Sequence, residues 1–202
     1  MAYRNFSLDD LQQKFGIRNQ IRSLFAPMTP ITLSEWLKIT FENAADLPTH
    51  TEKAKSESII FPLLMELRNN NNKFFTIYSG DNLNVNEKEG LNEECDFILA
   101  KDMHTFNINY PILALVEAKN SDIAAGVPQC AAQMLGAKLF NEQKNTPVSV
   151  IYGCVTTGND WKFLQLIDNQ IIIDKRTYYF NEIEEILAVF QHIIEIFRKE
   201  LK

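Results

Sequence analysis

The pattern of apolar and polar residues predicts short helices at the start of the chain. Ser7 followed by Asp10 is typical of a capped helix start and Gly16 of a helix end, so a helix is predicted between Ser7 and Gly16. A second helix is predicted to begin near Ser34, with proline-containing loops around it. We therefore expect residues 1–48 to form an N-terminal helical extension.

A longer helix with an irregularity is predicted next. Thr49 and Glu52 form a T-x-x-E capping box, which predicts a helix that runs to about Arg68. Pro62 lies inside this helix, and an interior proline removes a backbone hydrogen bond at a typical cost of about 3 kcal/mol. We expect a kink between Ser58 and Pro62, with the helix continuing beyond it.

After the asparagine tract the pattern favours strands. Strands are predicted over residues 74–78, 96–100, 112–119, 148–155, 162–167 and 170–174. Between the third and fourth of these, a helix is predicted from Pro128, which suits a first helical position, to about Asn141. The last segment has apolar residues at helical spacing after a capping pair formed by Asn181 and Glu184.

This order of elements predicts an α/β sandwich. The first three strands are too close in sequence for crossover connections, so we expect an antiparallel meander rather than a doubly wound fold. The amphipathic last helix must pack against a sheet. Residues 49–202 are therefore predicted to form the core, a central mixed sheet flanked by helices.

Composition narrows the class of protein. The chain has 202 residues, 46% of them apolar, and a formal net charge of −6, which disfavours nucleic-acid binding through overall charge but leaves a local basic groove open. The cysteines Cys95, Cys130 and Cys154 form no CxxC pair, which favours a reducing, cytoplasmic setting. No apolar run approaches the length of a membrane span and the start does not resemble a signal peptide, so no membrane association is expected.

Several common chemistries are excluded because the sequence lacks the motifs that they require. The sequence has no GxxxxGK[ST] phosphate loop, no GxSxG elbow and no HExxH zinc motif. Its three histidines, His50, His104 and His192, are scattered along the chain. We assign none of them a role, and His192 is expected to be structural because it lies in the last helix.

Charged residues at the ends of two predicted strands carry the clearest chemical signal. Side chains two apart in a strand share a face, so Glu117 and Lys119 project together. A hairpin centred between Phe106 and Asn107 would place Asp96 opposite Glu117, within about 5.5 Å. Two carboxylates and one amine are thus predicted to meet at one end of a buried element.

Two interpretations of this pair are open. Facing carboxylates destabilise a sheet unless a cation lies between them, and oxygen ligands favour a hard metal such as Mg²⁺ or Mn²⁺. Alternatively, Asp96 and Glu117 face solvent at the strand ends, with Lys119 as their ion-pair partner. The apolar strand that precedes Glu117 favours the first interpretation, because charges at the end of a buried strand require a reason.

The arrangement resembles the PD-(D/E)XK nuclease superfamily, whose motif is an acidic residue, a hairpin and then acidic-x-Lys. The match here is Asp96 with Glu117-Ala118-Lys119, and the surrounding order of elements agrees over about residues 49–160. The resemblance implies a restriction-endonuclease-like three-layer sandwich and an Mg²⁺ (or Mn²⁺) site.

The resemblance also implies an acidic residue on the first core helix and a glutamine on the later one. Helical geometry favours Glu57 over Glu66 as the third metal ligand, because Glu57 lies on the apolar stripe and Glu66 about 180° away. The alternative for Glu57 is a first-turn carboxylate favoured by the helix dipole. Gln129 and Gln133, four residues apart, share a face and are expected either to reach Lys119 or the scissile phosphate, or to face solvent, with Gln133 slightly preferred.

Lys14, Arg18 and Arg22 recur at every fourth residue without an acid among them. If this region is helical they could form a phosphate-contacting stripe, although Gly16 interrupts it and a solvated face is the alternative.

The sequence therefore predicts a metal-dependent phosphodiester hydrolase that acts on nucleic acid, with DNA the expected partner. Asp96 and Glu117, with Glu57, would bind the metal, and Lys119 would assist the attacking water. A nuclease-fold module for binding nucleic acid or protein without catalysis is the alternative, which the net negative charge favours. A structural scaffold assembled through the last helix is a third class left open, and a homodimer is a separate possibility.

Overall fold

The fold is built around one eight-stranded sheet. The computed structural model describes residues 2–201. The strands are β1 (Arg18–Arg22), β2 (Phe75–Asn82), β3 (Glu94–Lys101), β4 (Ile112–Ala118), β5 (Val150–Thr156), β6 (Asp160–Ile167), β7 (Gln170–Asp174) and β8 (Tyr178–Tyr179). The helices are α1 (Leu8–Phe15), α2 (Glu35–Ala44), α3 (Glu52–Lys55), α4 (Phe61–Asn70), α5 (Ile123–Gln143) and α6 (Ile183–Glu200), and a π-helical segment, Ser56–Ile60, joins α3 to α4.

The sheet is mixed. Its strand order is β1-β7-β6-β5-β4-β3-β2, with β8 paired to β6. Strands β2, β3 and β4 form the predicted antiparallel meander, and β5, β6 and β7 form a second one. The two meanders join through the parallel pair β4 and β5, which needs a long connection, and α5 supplies it.

Helices cover both faces of the sheet and create two hydrophobic cores. On one face, α2, α4 and α6 bury residues such as Leu37, Leu64 and Phe190 against the strands. On the other face, α1 and α5 bury residues such as Leu11 and Ala131. An α/β fold with a central mixed sheet flanked by helices is therefore confirmed. None of the helices within residues 2–201 is long and apolar enough to cross a membrane.

The first helix has the predicted ends. The Ser7 hydroxyl accepts a hydrogen bond from the Asp10 N–H at 3.0 Å, and the Asp10 carboxylate accepts one from the Ser7 N–H at 2.9 Å. Gly16 ends the helix at φ +68°, a left-handed conformation that glycine adopts without steric cost. Ser34 likewise caps α2, as predicted.

The prediction of a purely helical N-terminal extension is wrong for residues 18–22. These residues form β1, which pairs in parallel with β7, from Arg18 opposite Gln170 to Arg22 opposite Asp174. The buried Ile17 side chain anchors the chain next to β7 after α1 has ended. The sheet of the core therefore includes a strand from before residue 49.

Two predicted helix starts are also corrected. The cap of α3 is Thr51, whose hydroxyl accepts from the Ala54 N–H at 3.1 Å, and not Thr49. The helix α5 begins at Ile123 rather than Pro128, because the carboxylate of Asp122 caps it by accepting from Ala124 N–H at 2.8 Å. Pro128 consequently lies inside α5.

The last helix starts two residues after the predicted cap Asn181. Residues 180–182 form a 3₁₀ turn instead, in which the Glu182 carboxylate accepts from the Tyr179 N–H at 3.1 Å. That carboxylate takes the place of the predicted pair of Asn181 and Glu184, and α6 follows from Ile183.

The predicted irregularity before Pro62 takes the form of the π-helical segment. The Phe61 N–H bonds to the carbonyl of Ser56, five residues earlier, instead of four. This wider turn lies where Pro62, the second residue of α4, supplies no N–H of its own. The helix thus continues past the proline, and Ser56 and Glu57 lie at its widened turn.

Candidate active site

The hairpin of β3 and β4 brings Asp96 and Glu117 to one end of the sheet. Phe97 pairs with Val116 and Leu99 pairs with Ala114, which is the predicted register, while a bulge after Leu99 disturbs it further away. Asp96 and Glu117 occupy the next position of that register. The Asp96 carboxylate also accepts a hydrogen bond from the Ala118 N–H at 2.7 Å, which ties the start of β3 to the end of β4.

Glu117 is the more buried of the two carboxylates, with 2% of the residue exposed. Its Oε1 accepts from the Lys119 ammonium at 2.7 Å, and its Oε2 accepts from the Gln133 amide at 2.7 Å. Burial, followed by the negative charge of Asp96, raises the pKa of Glu117 to about 7, although Lys119 and Gln133 oppose the change. The pKa of Glu117 therefore lies near neutral pH, and perturbed pKa values of this kind are common in functional sites.

Asp96 is the less buried of the two carboxylates. Burial raises the pKa of Asp96, and the nearby carboxylates of Glu52 and Glu94 also raise it. The Ala118 N–H and the Lys119 charge act in the opposite direction. Two neighbouring carboxylates with raised pKa values are an electrostatic conflict that a bound cation would relieve.

Lys119 follows the last residue of β4. Its backbone N–H donates to the Thr156 carbonyl at 2.8 Å, which extends the ladder between β4 and β5, and its ammonium donates to Glu117 and to Gln129 Oε1 at 3.0 Å. Burial lowers the pKa of Lys119, but Glu117 and then Glu52 and Asp96 more than offset this and raise it. The ammonium is therefore charged at neutral pH.

The two glutamines predicted to share a helix face both reach the site. Gln129 accepts from Lys119, and Gln133 donates to Glu117, as described above. Gln133 is fully buried, and its Oε1 has no hydrogen-bond partner among residues 2–201. A solvent-facing pair is therefore excluded, and the glutamines fix the two charged side chains between them.

A close approach of α5 to the sheet keeps Lys119 in place. A Cβ atom at Gly126 would lie 2.5 Å from Val155 Cγ1 and 2.9 Å from Lys119 Cγ. Both distances are too short for any real side chain, so the helix packs this closely only because position 126 is glycine. The stem of Lys119 is consequently confined between α5 and β5.

A cleft of about 420 Å³ opens beside Asp96. Four carboxylates line it, those of Glu52, Glu57, Glu94 and Asp96, with Lys53 as the one lining cation among the described residues. Glu117 does not line this cleft. The Glu57 side chain is 68% exposed and lies 3.9 Å from the Lys53 ammonium. Glu57 thus shares the cleft with Asp96 and forms an ion pair with Lys53.

Glu66 has a structural role, in agreement with the choice of Glu57. Glu66 is buried and accepts hydrogen bonds from the Ser34 N–H at 2.8 Å and from the Ser34 hydroxyl at 2.7 Å. It thereby fixes the residue that caps α2, well inside the helical layer.

Sequence reasoning missed Glu52 as a site residue. Its Oε1 accepts from the Asn120 N–H at 2.9 Å, directly after Lys119, and its charge acts on both Asp96 and Lys119. The only local signal, the T-x-x-E spacing, indicates a helix cap. Thr51 provides that cap alone, which leaves the Glu52 carboxylate free to turn toward the site.

The basic residues near the N-terminus lie elsewhere. Lys14 is on α1 with its ammonium 5.3 Å from the Phe6 ring, whereas Arg18 and Arg22 are in β1, so the three do not form a helical stripe. Strands β7, β6 and β5 separate β1 from β4 and hence from Glu117. A role for these residues in nucleic-acid binding stays a prediction.

The donor chemistry fits a hard cation, but the predicted three-ligand set is not assembled. Within residues 2–201 no group of three or more histidine, cysteine, aspartate or glutamate side chains is arranged to hold a metal ion. Asp96 and Glu117 supply two carboxylates, and Glu57 lies across the cleft. No model of a known protein family matches the sequence, and no curated protein is significantly similar to it.

Proposed function

We propose that this protein is a metal-dependent phosphodiester hydrolase, a nuclease-like enzyme of the PD-(D/E)XK type. The observation that carries the proposal is the contact between Lys119 and Glu117 at 2.7 Å, beside Asp96 at the end of a central hairpin. A mixed sheet flanked by helices on both faces is compatible with a restriction-endonuclease-like fold. Nucleic acid, with DNA first, is the proposed substrate.

The carboxylates support the proposed metal dependence. Asp96 and Glu117, with Glu57 across the cleft, would hold Mg²⁺ or Mn²⁺, which prefer oxygen ligands. When bound, the metal would lower the pKa of a water molecule and neutralise charge that develops on the phosphate. The cleft itself has four carboxylates and one ammonium, so a phosphodiester would be repelled from it unless cations were present.

Lys119 is the proposed catalytic cation. A lysine ammonium is a compact charge that can donate to an attacking water or to a phosphoryl oxygen. Glu117 and Gln129 hold this ammonium by hydrogen bonds, and Gln133 orients Glu117 from the other side. The site therefore has its charge positioned before substrate arrives, which is what electrostatic stabilisation of a transition state requires.

One observation favours the alternative, a nuclease-fold module that binds nucleic acid or protein without catalysis. Both oxygens of Glu117 are engaged, one by Lys119 and one by Gln133. A Glu117 committed to an internal ion pair would not be available to a metal ion, and the net charge of −6 also disfavours a polyanionic substrate.

A cleavage survey decides between the two. The purified protein is incubated with single- and double-stranded DNA and RNA in Mg²⁺, in Mn²⁺ and in chelator. Metal-dependent cleavage of any of these substrates is expected of the hydrolase. Binding of a substrate without cleavage in either metal would contradict the hydrolase and favour the module.

A further inference from the structure

We propose that Glu52 and Lys55 act together as a clamp on the backbone of Asn120 and thereby position Lys119. This inference rests on the proposed function, since Lys119 is its catalytic cation. The Glu52 carboxylate accepts from the Asn120 N–H at 2.9 Å, and the Lys55 ammonium donates to the Asn120 carbonyl at 2.5 Å. Both backbone groups of one residue are thus held by one short helix.

The spacing of the clamp residues suits this geometry. Glu52 and Lys55 are three apart on α3, so they project from the same side of the helix. Their charges match their tasks, because a carboxylate accepts from an N–H and an ammonium donates to a carbonyl. Two charge-assisted hydrogen bonds to a single exposed residue restrict its backbone more than one bond would.

Asn120 is the position at which such a restraint acts on Lys119. On the strand side, the Lys119 backbone is held by its bond to Thr156. On the other side, the chain leaves the sheet for α5, whose cap is Asp122. The two bonds to Asn120 are what tie the short link between Lys119 and Asp122 to α3.

The clamp also fixes the first turn of a long helix. α3 runs without a break into the π-helical segment and then into α4, and the Ser56 N–H bonds to the carbonyls of Glu52 and Lys53. The bonds of α3 to Asn120 fix this first turn against the end of β4. One continuous helix thus reaches the site with its first turn and the core with α4.

Substitutions at Glu52 separate a clamp from a metal ligand. Glu52→Gln retains a side-chain oxygen that can accept from the Asn120 N–H but removes the charge, whereas Glu52→Ala removes both. Lys55→Met removes the second bond of the clamp. Lys53→Met is the matched control, since Lys53 lies on the same helix and its recorded partner is Glu57 rather than Asn120.

Amide hydrogen exchange at Asn120 measures the clamp directly. We expect exchange in Glu52→Ala to be about tenfold faster or more than in wild type, with Glu52→Gln and Lys53→Met close to wild type. In cleavage assays, Glu52→Ala and Lys55→Met are expected to lower kcat by about 10- to 100-fold with KM changed by less than about threefold. Glu52→Gln is expected to stay within about threefold of wild type in kcat.

Two results would overturn the inference. Equal loss of kcat in Glu52→Gln and Glu52→Ala would show that the charge of Glu52 matters, as for a metal ligand. Unchanged Asn120 exchange in Glu52→Ala would show that no clamp exists. If wild type cleaves nothing, the proposed function fails, and the NMR signal of the Lys119 ammonium then tests positioning. The signal should move more in Glu52→Ala, which loses the bond and the charge, than in Glu52→Gln, which loses the charge alone, and an equal movement in both would refute the clamp.

Discussion

The Lys119 ammonium donates to Glu117 Oε1 at 2.7 Å, and both side chains emerge at the end of a fully buried strand. The two residues are two positions apart, so they share a face of the sheet. The contact neutralises part of the charge of Glu117, but burial, and after it the negative charge of Asp96, still raise the pKa of Glu117. An electrostatic conflict of this kind is a reason to expect function rather than stability at this position.

The raised pKa of Glu117 makes stability depend on pH. Its pKa is about 7 in the folded protein against 4.5 in the unfolded chain, so the protonated form favours folding. This contribution is fully present below pH 4.5 and is lost as the pH rises to about 7. In chelator, we expect Glu117→Gln to gain about 1–3 kcal/mol of unfolding free energy over wild type across that interval, measured by urea denaturation.

Glu87→Gln is the control for this measurement, because Glu87 is an exposed glutamate in a 3₁₀ turn. Its unfolding free energy should follow that of wild type at every pH. A Glu117→Gln variant whose difference from wild type is constant with pH would contradict the raised pKa of Glu117.

Mg²⁺ should stabilise the folded protein through the carboxylate pair. A ligand at about 100 times its Kd stabilises by about 2.7 kcal/mol, which for a protein of this size is a rise in Tm of about 5–10 °C. Asp96→Asn should abolish most of this rise, because it removes one ligand and the mutual repulsion. Asp9→Asn, an exposed substitution on α1, should leave the rise intact, and an equal loss in both variants would refute binding at Asp96.

Gly126→Ala should displace Lys119. The added Cβ would contact Val155 and the Lys119 stem, and overpacking of this kind typically costs about 1–3 kcal/mol. Gly136→Ala, on the same helix, is matched in type, because its Cβ would contact the hydroxyl of Tyr3 and not Lys119. Thermal melts should show both variants destabilised, while only Gly126→Ala should lose cleavage; equal cleavage by both would contradict the confinement of Lys119.

Substitution of Glu66 should lower the free energy of unfolding, whereas substitution of Glu57 should weaken the response to Mg²⁺. Glu66→Ala removes two hydrogen bonds to Ser34 and should cost about 1–3 kcal/mol of unfolding free energy. Glu57→Ala should change it by less than about 0.5 kcal/mol, since Glu57 is exposed. The rise in Tm with Mg²⁺ should weaken in Glu57→Ala alone, and a weaker rise in Glu66→Ala would show that the helical assignment of these residues is wrong.

Local chemistry explains which parts of the fold the sequence predicts. Ser7 and Gly16 determine the ends of α1 through their own hydrogen bonds and backbone conformation, so their signal needs no tertiary contact. In contrast, β1 has the polar sequence RNQIR without alternating apolar residues, and it exists because β7 offers it a partner. Pro128 was misleading for a different reason, since a local signal, the Asp122 cap, sets the start of α5 earlier in the chain.

The residues of the site likewise divide into those that the sequence could predict and those that it could not. The register of the hairpin places Asp96 next to Glu117, and spacing puts Lys119 on the strand face of Glu117 and the two glutamines on one helix face. These are rules of spacing that a sequence displays directly. That the glutamines reach the site is what the resemblance implied. Glu52 reaches Asn120 across 68 residues, and no periodicity within one element can reveal a contact of that range.

The most direct test of the account is the rate of cleavage by wild type and by Lys119→Ala, with Lys38→Ala, an exposed lysine on α2, as the matched control. The rate is measured in Mg²⁺ and in chelator on whichever nucleic acid wild type cleaves. We expect cleavage by wild type that requires Mg²⁺ and falls by about 100-fold or more in Lys119→Ala, while Lys38→Ala retains most of it. Equal cleavage by wild type and Lys119→Ala would contradict the assignment of the site.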